Sequence, residues 1–207
     1  MALNAEGYFH GLAEYLHKNF KIAGVANNKI VLEEKLYIDR GEVTQKVNLV
    51  YQGQVIVIKL DFEPKRKTKD KKDKDEDEFS GLFSFLANDA KPWAKRCDFV
   101  IFQLLKNKLN IYCVEFKSQT IPPDAPDQLK ASVAWCKSLH AIIKSYTNES
   151  RQFNLKRFLF SNCENPAYFD ADNKYLLRDN TIRHYLYKDV NGLNLSDLEN
   201  TKVEIIK

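Results

Sequence analysis

The chain has no C-x-x-C pair among Cys97, Cys113, Cys136 and Cys163, and His10, His17, His140 and His184 fall into neither H-E-x-x-H nor a Cys/His zinc spacing. A zinc centre is therefore not expected, and the four thiols are expected to be free. No stretch approaches the roughly 18 consecutive apolar residues of a membrane span. The opening residues MALNAEGYFHGLAEYLHKNF carry charge and histidine where a signal peptide needs an unbroken apolar core. The expectation is a cytoplasmic protein with no membrane partner. Internal repeats are absent, as is any helix-turn-helix, zinc finger or other separate nucleic-acid reader. An excess of one charge is lacking too: 32 Lys and Arg against 28 Asp and Glu leave +4, which permits a nucleic-acid partner without requiring one.

What is present suits one domain, residues 1–207, with a sizeable core, since 44% of residues are hydrophobic and 12% aromatic. Residues 5–20 place Phe9, Leu12, Leu16 and Phe20 on one side of an amphipathic helix. The β-rich runs KIVLEEKLYID, KVNLVYQG and QVIVIKLDF follow, and the last two are separated by little beyond Gly53, which predicts a hairpin. The segment PKRKTKDKKDKDEDE, residues 64–78, contains no apolar residue and predicts a mobile charged loop over about 63–79. It reads either as a polyelectrolyte arm for nucleic acid or as a solvated insertion whose basic and acidic halves nearly cancel. FSGLFSFLAN, just after it, reads as a short helix on the core or as a partner contact.

Pro122, Pro123 and Pro126 break the chain before a long helix for which Asp124 offers an N-cap. Leu129, Val133, Cys136, His140 and Ile143 follow the helical period, so His140 reads as a buried-edge or surface histidine and not as a catalytic one. KRFLFS (156–161) and TIRHYLYKD (181–189) predict two further strands. The order is that of a mixed α/β domain.

The chemistry concentrates in CDFVIFQLLKNKLNIYCVEFKSQ, residues 97–119, where Asp98, Glu115 and Lys117 interrupt two apolar strands. Side chains alternate along a strand, so Glu115 and Lys117 share a face. A two-residue turn at Asn107 and Lys108 would pair Asp98 with Lys117 and Val100 with Glu115, bringing all three residues onto one face. The opposite face, with Phe99, Ile101, Tyr112, Val114 and Phe116, is apolar, so the pair is expected in the middle of its sheet. An Asp98 to Lys117 ion pair would explain two of the three residues. Two neighbouring carboxylates repel unless a cation lies between them, and a hard divalent ion such as Mg²⁺ accounts for all three.

These residues resemble the PD-(D/E)XK nuclease superfamily, the restriction-endonuclease-like fold. CDFVIF supplies the first acid, Asp98; VEFKS supplies the E-x-K, Glu115 and Lys117; a helix and the strand RFLFS follow in the expected order. The resemblance covers roughly residues 93–161 and the opening helix. Cys97 stands where the name-giving proline would be, and Gln128 is followed four residues later by Ser132, so a Gln-x-x-x-Tyr submotif is missing. Many members add a glutamate from the first helix, for which Glu6 and Glu14 are the candidates.

The resemblance implies a mixed sheet flanked by helices, here with an N-terminal antiparallel β extension and the charged loop. It implies hydrolysis of phosphodiester bonds, in DNA more often than RNA, in the setting of defence, restriction or repair. Asp98 and Glu115 would be ligands of Mg²⁺ or Mn²⁺, and Asp98, Glu115 and Lys117 the catalytic set. A homodimer or a larger nuclease complex is compatible with it. The family also contains inactive members, so a catalytically silent protein that binds nucleic acid or a protein partner is the alternative. Gln128 at the helix start, and Lys130, Lys137 and Lys144 along one side of that helix, are the candidate nucleic-acid contacts, against the plainer reading of a solvated helix face.

Overall fold

In the computed structural model, residues 4–16, 25–38, 41–60 and 95–207 are described. The charged segment 63–79, FSGLFSFLAN and Phe20 lie outside them. Asn4 caps the first helix, α1 (Ala5–Tyr15), its side-chain oxygen accepting from the Gly7 N–H at 2.7 Å. Phe9 and Leu12 are buried with Ala5 and Tyr8, and Leu16 packs on the same core.

Strands β1 (Val25–Ala26), β2 (Lys29–Ile38) and β3 (Gly41–Val50) form a separate three-stranded antiparallel sheet. The hairpin expected between KVNLVYQG and QVIVIKLDF does not form: β4 (Gln54–Lys59) joins the large sheet and pairs with β5 (Phe99–Leu105). Packing decides this. Ile30, Leu32, Val47 and Leu49 of the small sheet bury themselves against Val57, Phe99, Ile101 and Phe116, so the chain steps from one layer to the other between β3 and β4. Gly53 makes the step at φ 78°, and a Cβ there would lie 2.1 Å from the Leu104 carbonyl oxygen.

The large sheet continues with β6 (Lys108–Phe116), β7 (Phe153–Ser161), β8 (Tyr175–Leu176), β9 (Asp179–Leu186) and β10 (Glu204–Ile206). Its strand order is β4-β5-β6-β7-β9-β8, with β10 pairing β7. The β6–β7 and β7–β9 pairs are parallel and the others antiparallel. The first parallel step requires a crossover, which helix α2 (Ala125–Thr147) supplies. Leu129, Val133, Cys136 and Ile143 of α2 cover one sheet face together with α1, while the small sheet covers the other. The fold is thus α/β, a mixed sheet flanked by helices with an extra antiparallel sheet.

Three local expectations change. The β5–β6 turn is at Lys106 and Asn107, both left-handed with φ 49° and 61°, and Leu105 faces Lys108. The register therefore slips by two residues from the expected one, and a slip of two preserves every side chain's face. Asp124 stands at the start of α2, but its side chain makes no capping bond; it turns to Lys95 Nζ, 3.6 Å away. The strand in TIRHYLYKD stops at Leu186, and Tyr187–Val190 forms a helical turn, α3, because Tyr187 and Val190 are drawn into the core beneath the small sheet.

Candidate active site

Asp98 immediately precedes β5, Glu115 is the penultimate residue of β6, and Lys117 follows that strand. Extending the observed register sets Asp98 across from Glu115 in place of Lys117. The backbone holding them is tied on every side. The Leu60 N–H donates to the Asp98 carbonyl at 2.9 Å, and the Lys117 N–H donates to the Phe160 carbonyl at 2.9 Å. The Tyr187 hydroxyl donates to the Lys117 carbonyl at 3.0 Å. The Asp98 carboxylate accepts the Phe116 N–H on Oδ2 at 2.6 Å, which fixes it beside Glu115.

Lys117 reaches Glu115: its ammonium is in direct contact with Glu115 Oε1. Glu115 is wholly buried, and its Oε2 meets no hydrogen-bond donor among the described residues. Burial pushes the Glu115 carboxyl well above the usual carboxylate range, the Asp98 charge adds to the rise, and the Lys117 ammonium opposes it. Burial alone would lower Lys117, but the adjacent Glu115 and the Asp98 charge more than reverse that and leave its pKa raised. Burial, then the charges of Asp98, Glu115 and Glu34, also drive the Tyr187 phenol up, so it stays a hydrogen-bond donor.

The three residues open onto a cavity of about 780 Å³ that Gln128, Glu34 and Lys59 also line. Gln128 is placed there by the start of α2, whose second turn is anchored through Ser132: its hydroxyl donates to the Gln128 carbonyl at 2.9 Å and accepts the Cys97 N–H at 2.7 Å. The lysines of α2 are elsewhere. Lys130, Lys137 and Lys144 are exposed and none lines the cavity, and Lys137 pairs with Glu204 at 2.5 Å.

Glu6 and Glu14 do not reach the site. Glu6 lies 3.4 Å from Gln54 Nε2, and Gln54 faces Leu104 near the hairpin turn. That is roughly 20 Å along β5 from Asp98 at ~3.3 Å per residue. Glu14 is exposed. Glu34, Lys59 and Tyr187 are the site residues that sequence reasoning passed over. Glu34 left a signal: in Ile30, Leu32, Glu34, Leu36 an acid interrupts the inward period of a strand.

No group of three or more His, Cys, Asp or Glu side chains arranged for a metal occurs among the described residues. Three carboxylates line the cavity, Asp98 and Glu115 side by side and Glu34 paired with Lys59, and Glu115 Oε2 is buried without a donor among the described residues. That set suits a hard cation which completes its shell with water and substrate oxygen, Mg²⁺ or Mn²⁺, and does not suit zinc.

A second cavity, of about 510 Å³, borders His184 and Phe169. There His184 Nε2 is 2.8 Å from Ser161 Oγ and the imidazole stacks on Phe169 at 4.3 Å, but Ser161 is wholly buried and offers no accessible nucleophile. Among the described residues no helix is long and apolar enough to cross a membrane. No family model, no curated protein and no solved structure matches this chain.

Proposed function

We propose that the protein is a metal-dependent nuclease that hydrolyses phosphodiester bonds, with DNA as the first substrate to test. One observation carries the reading. Glu115 is a buried carboxylate beside a second one, its Oε2 has no donor among the described residues, and it sits at an open cavity. A buried anion in that state is costly unless a cation completes it. The order of first acid, hairpin, E-x-K, crossover helix and parallel strand supports the restriction-endonuclease-like assignment.

On this reading Asp98 and Glu115 hold the Mg²⁺, which when bound polarises the phosphoryl oxygen and lowers the pKa of a water. Asp98 is oriented by the Phe116 N–H, which holds its carboxylate beside Glu115. Lys117 would act as a cation: its ammonium touches Glu115, whose charge together with that of Asp98 favours the protonated form. Its ammonium, on a backbone tied to Phe160 and Tyr187, offsets negative charge that accumulates on the phosphate. The Gln128 amide can donate to a phosphate oxygen from the α2 side of the cavity.

The Lys117 to Glu115 contact favours a second reading, a silent nuclease fold in which the lysine closes the site and the protein only binds. Incubation with supercoiled DNA, single-stranded DNA and RNA, each with Mg²⁺, Mn²⁺ or chelator, separates the two. Cleavage that needs the metal and disappears in Glu115→Ala supports the nuclease. Binding without cleavage in any metal supports the silent fold.

A further inference from the structure

Lys59 ends β4, and Glu34 lies on β2 of the other sheet. The inward face of β2 runs Ile30, Leu32, Glu34, Leu36, the first two wholly buried, so Glu34 falls where the apolar core gives way to the cavity. The Lys59 ammonium lies 2.7 Å from Glu34 Oε2 but off the line of a hydrogen bond, and among the described residues that buried oxygen has no donor directed at it. The ammonium is 3.5 Å from the Glu33 carbonyl and 5.7 Å from the centre of the Phe99 ring. Among the described residues its three donors are thus poorly used. It is a cation in the wall of the cavity that holds Asp98, Glu115 and Lys117, neutralised by a badly aimed carboxylate.

We propose that Lys59 is a phosphate-binding residue of this site and that Glu34 is an internal stand-in for the phosphate. The proposal rests on the nuclease reading above. A backbone phosphate carries the same single charge as the carboxylate, so it can replace Glu34 at the ammonium with the number of ion pairs unchanged. It also accepts well-directed hydrogen bonds that Glu34 cannot reach. Glu34 gives up the ammonium. Two consequences have opposite sign. Lys59 raises affinity for the nucleic-acid strand, whereas Glu34 lowers it, and Glu34 does so only through Lys59.

The test measures binding of short fluorescein-labelled single-stranded and duplex oligonucleotides to the full chain, with Ca²⁺ in place of Mg²⁺, across a salt series. Lys59→Gln weakens binding and lowers the salt slope by about 0.9 on duplex and about 0.7 on single strands. Lys59→Met, which keeps an unbranched apolar stem without the charge, does the same. Glu34→Gln tightens binding about two- to fivefold, the worth of one partly exposed ion pair. The double variant matches Lys59→Gln, with no gain from the second change. If Glu34→Gln and Lys59→Gln move affinity in the same direction, or the Glu34→Gln gain persists without Lys59, the pair is a tie between sheets and this proposal fails while metal-dependent cleavage by the wild type still stands. A wild-type protein that neither binds nor cleaves overturns both.

Discussion

The two ends of the β5–β6 hairpin treat buried polar groups in opposite ways. At the turn end Gln103 is wholly buried with both ends of its amide bonded: its Oε1 accepts from the Tyr112 hydroxyl at 2.8 Å and its Nε2 donates to the Gln52 carbonyl at 3.0 Å. At the other end Glu115 is equally buried, shares its surroundings with Asp98, and has an oxygen without a donor among the described residues. Both ends belong to the same two strands, so depth of burial does not separate them. Satisfaction does. On the proposed reading, the Glu115 oxygen that lacks a donor among the described residues is the one a cation completes.

The largest expected effect follows directly. Asp98→Ala and Glu115→Ala should lower cleavage at least about a thousandfold while the far-ultraviolet dichroism and cooperative melting persist. Substitution at the turn end should leave turnover untouched. A Gln103→Ala variant with the same loss of activity would break the contrast.

Much of this contrast is legible in the sequence. Asp98, Glu115 and Lys117 stand out as charges on apolar strands, and strand alternation puts them on one face. The turn is misplaced by two residues because Lys106 gives no sign of the left-handed conformation it adopts beside Asn107. Strand alternation survives that error, so the face is kept while the cross-strand register changes: Asp98 stands across from Glu115, and Lys117 touches Glu115. The long-range parts are not legible. Nothing local in KVNLVYQG tells it to pack over β5 and β6 instead of turning into β4, and that packing is what brings Glu34 to the cavity. Tyr187 is invisible for the same reason, since its role depends on a bond to the Lys117 carbonyl 70 residues earlier.

His184 extends the comparison to a titrating group. Burial, with help from the Arg183 charge, holds its pKa down at about 4 against an ordinary 6.5, and its Nε2 is occupied by Ser161. A depressed pKa means the unfolded chain binds the proton first, so the stability it contributes is complete above pH 6.5 and is lost as pH falls toward about 4. The loss should approach about 3 kcal/mol. Urea melts of wild type and His184→Gln at neutral pH and near pH 4.5 check this: their difference should narrow at the lower pH, and a constant gap would contradict it.

The next effect sharpens the two-ended comparison. Gln103→Ala strands the Tyr112 hydroxyl and the Gln52 carbonyl and should cost about 2 kcal/mol at every pH. Glu115→Gln should behave differently in chelator. The Glu115 pKa is raised, so its contribution is present below the ordinary value of 4.5 and declines as pH rises. Wild type should therefore lose stability relative to Glu115→Gln from acid to neutral pH. Parallel curves would mean that Glu115 is as well satisfied as Gln103.

The smallest effect concerns α2. Lys130→Gln and Lys144→Gln should each lower the salt slope of duplex binding by about 0.9 if the helix follows a phosphate backbone. Lys137→Gln should lower it less, because Glu204 already neutralises that ammonium. Wild-type slopes in all three variants would assign the stripe to water alone.

The most direct measurement is calorimetric titration of Mn²⁺ into the metal-free protein and into Glu115→Ala, at a pH where both are folded. The account predicts saturable binding to the wild type, a melting temperature that rises with metal concentration, and loss of both in the variant. Wild-type protein that takes up no divalent cation, or Glu115→Ala that binds it equally well, would contradict the claim that the unsatisfied end of the hairpin is a metal site.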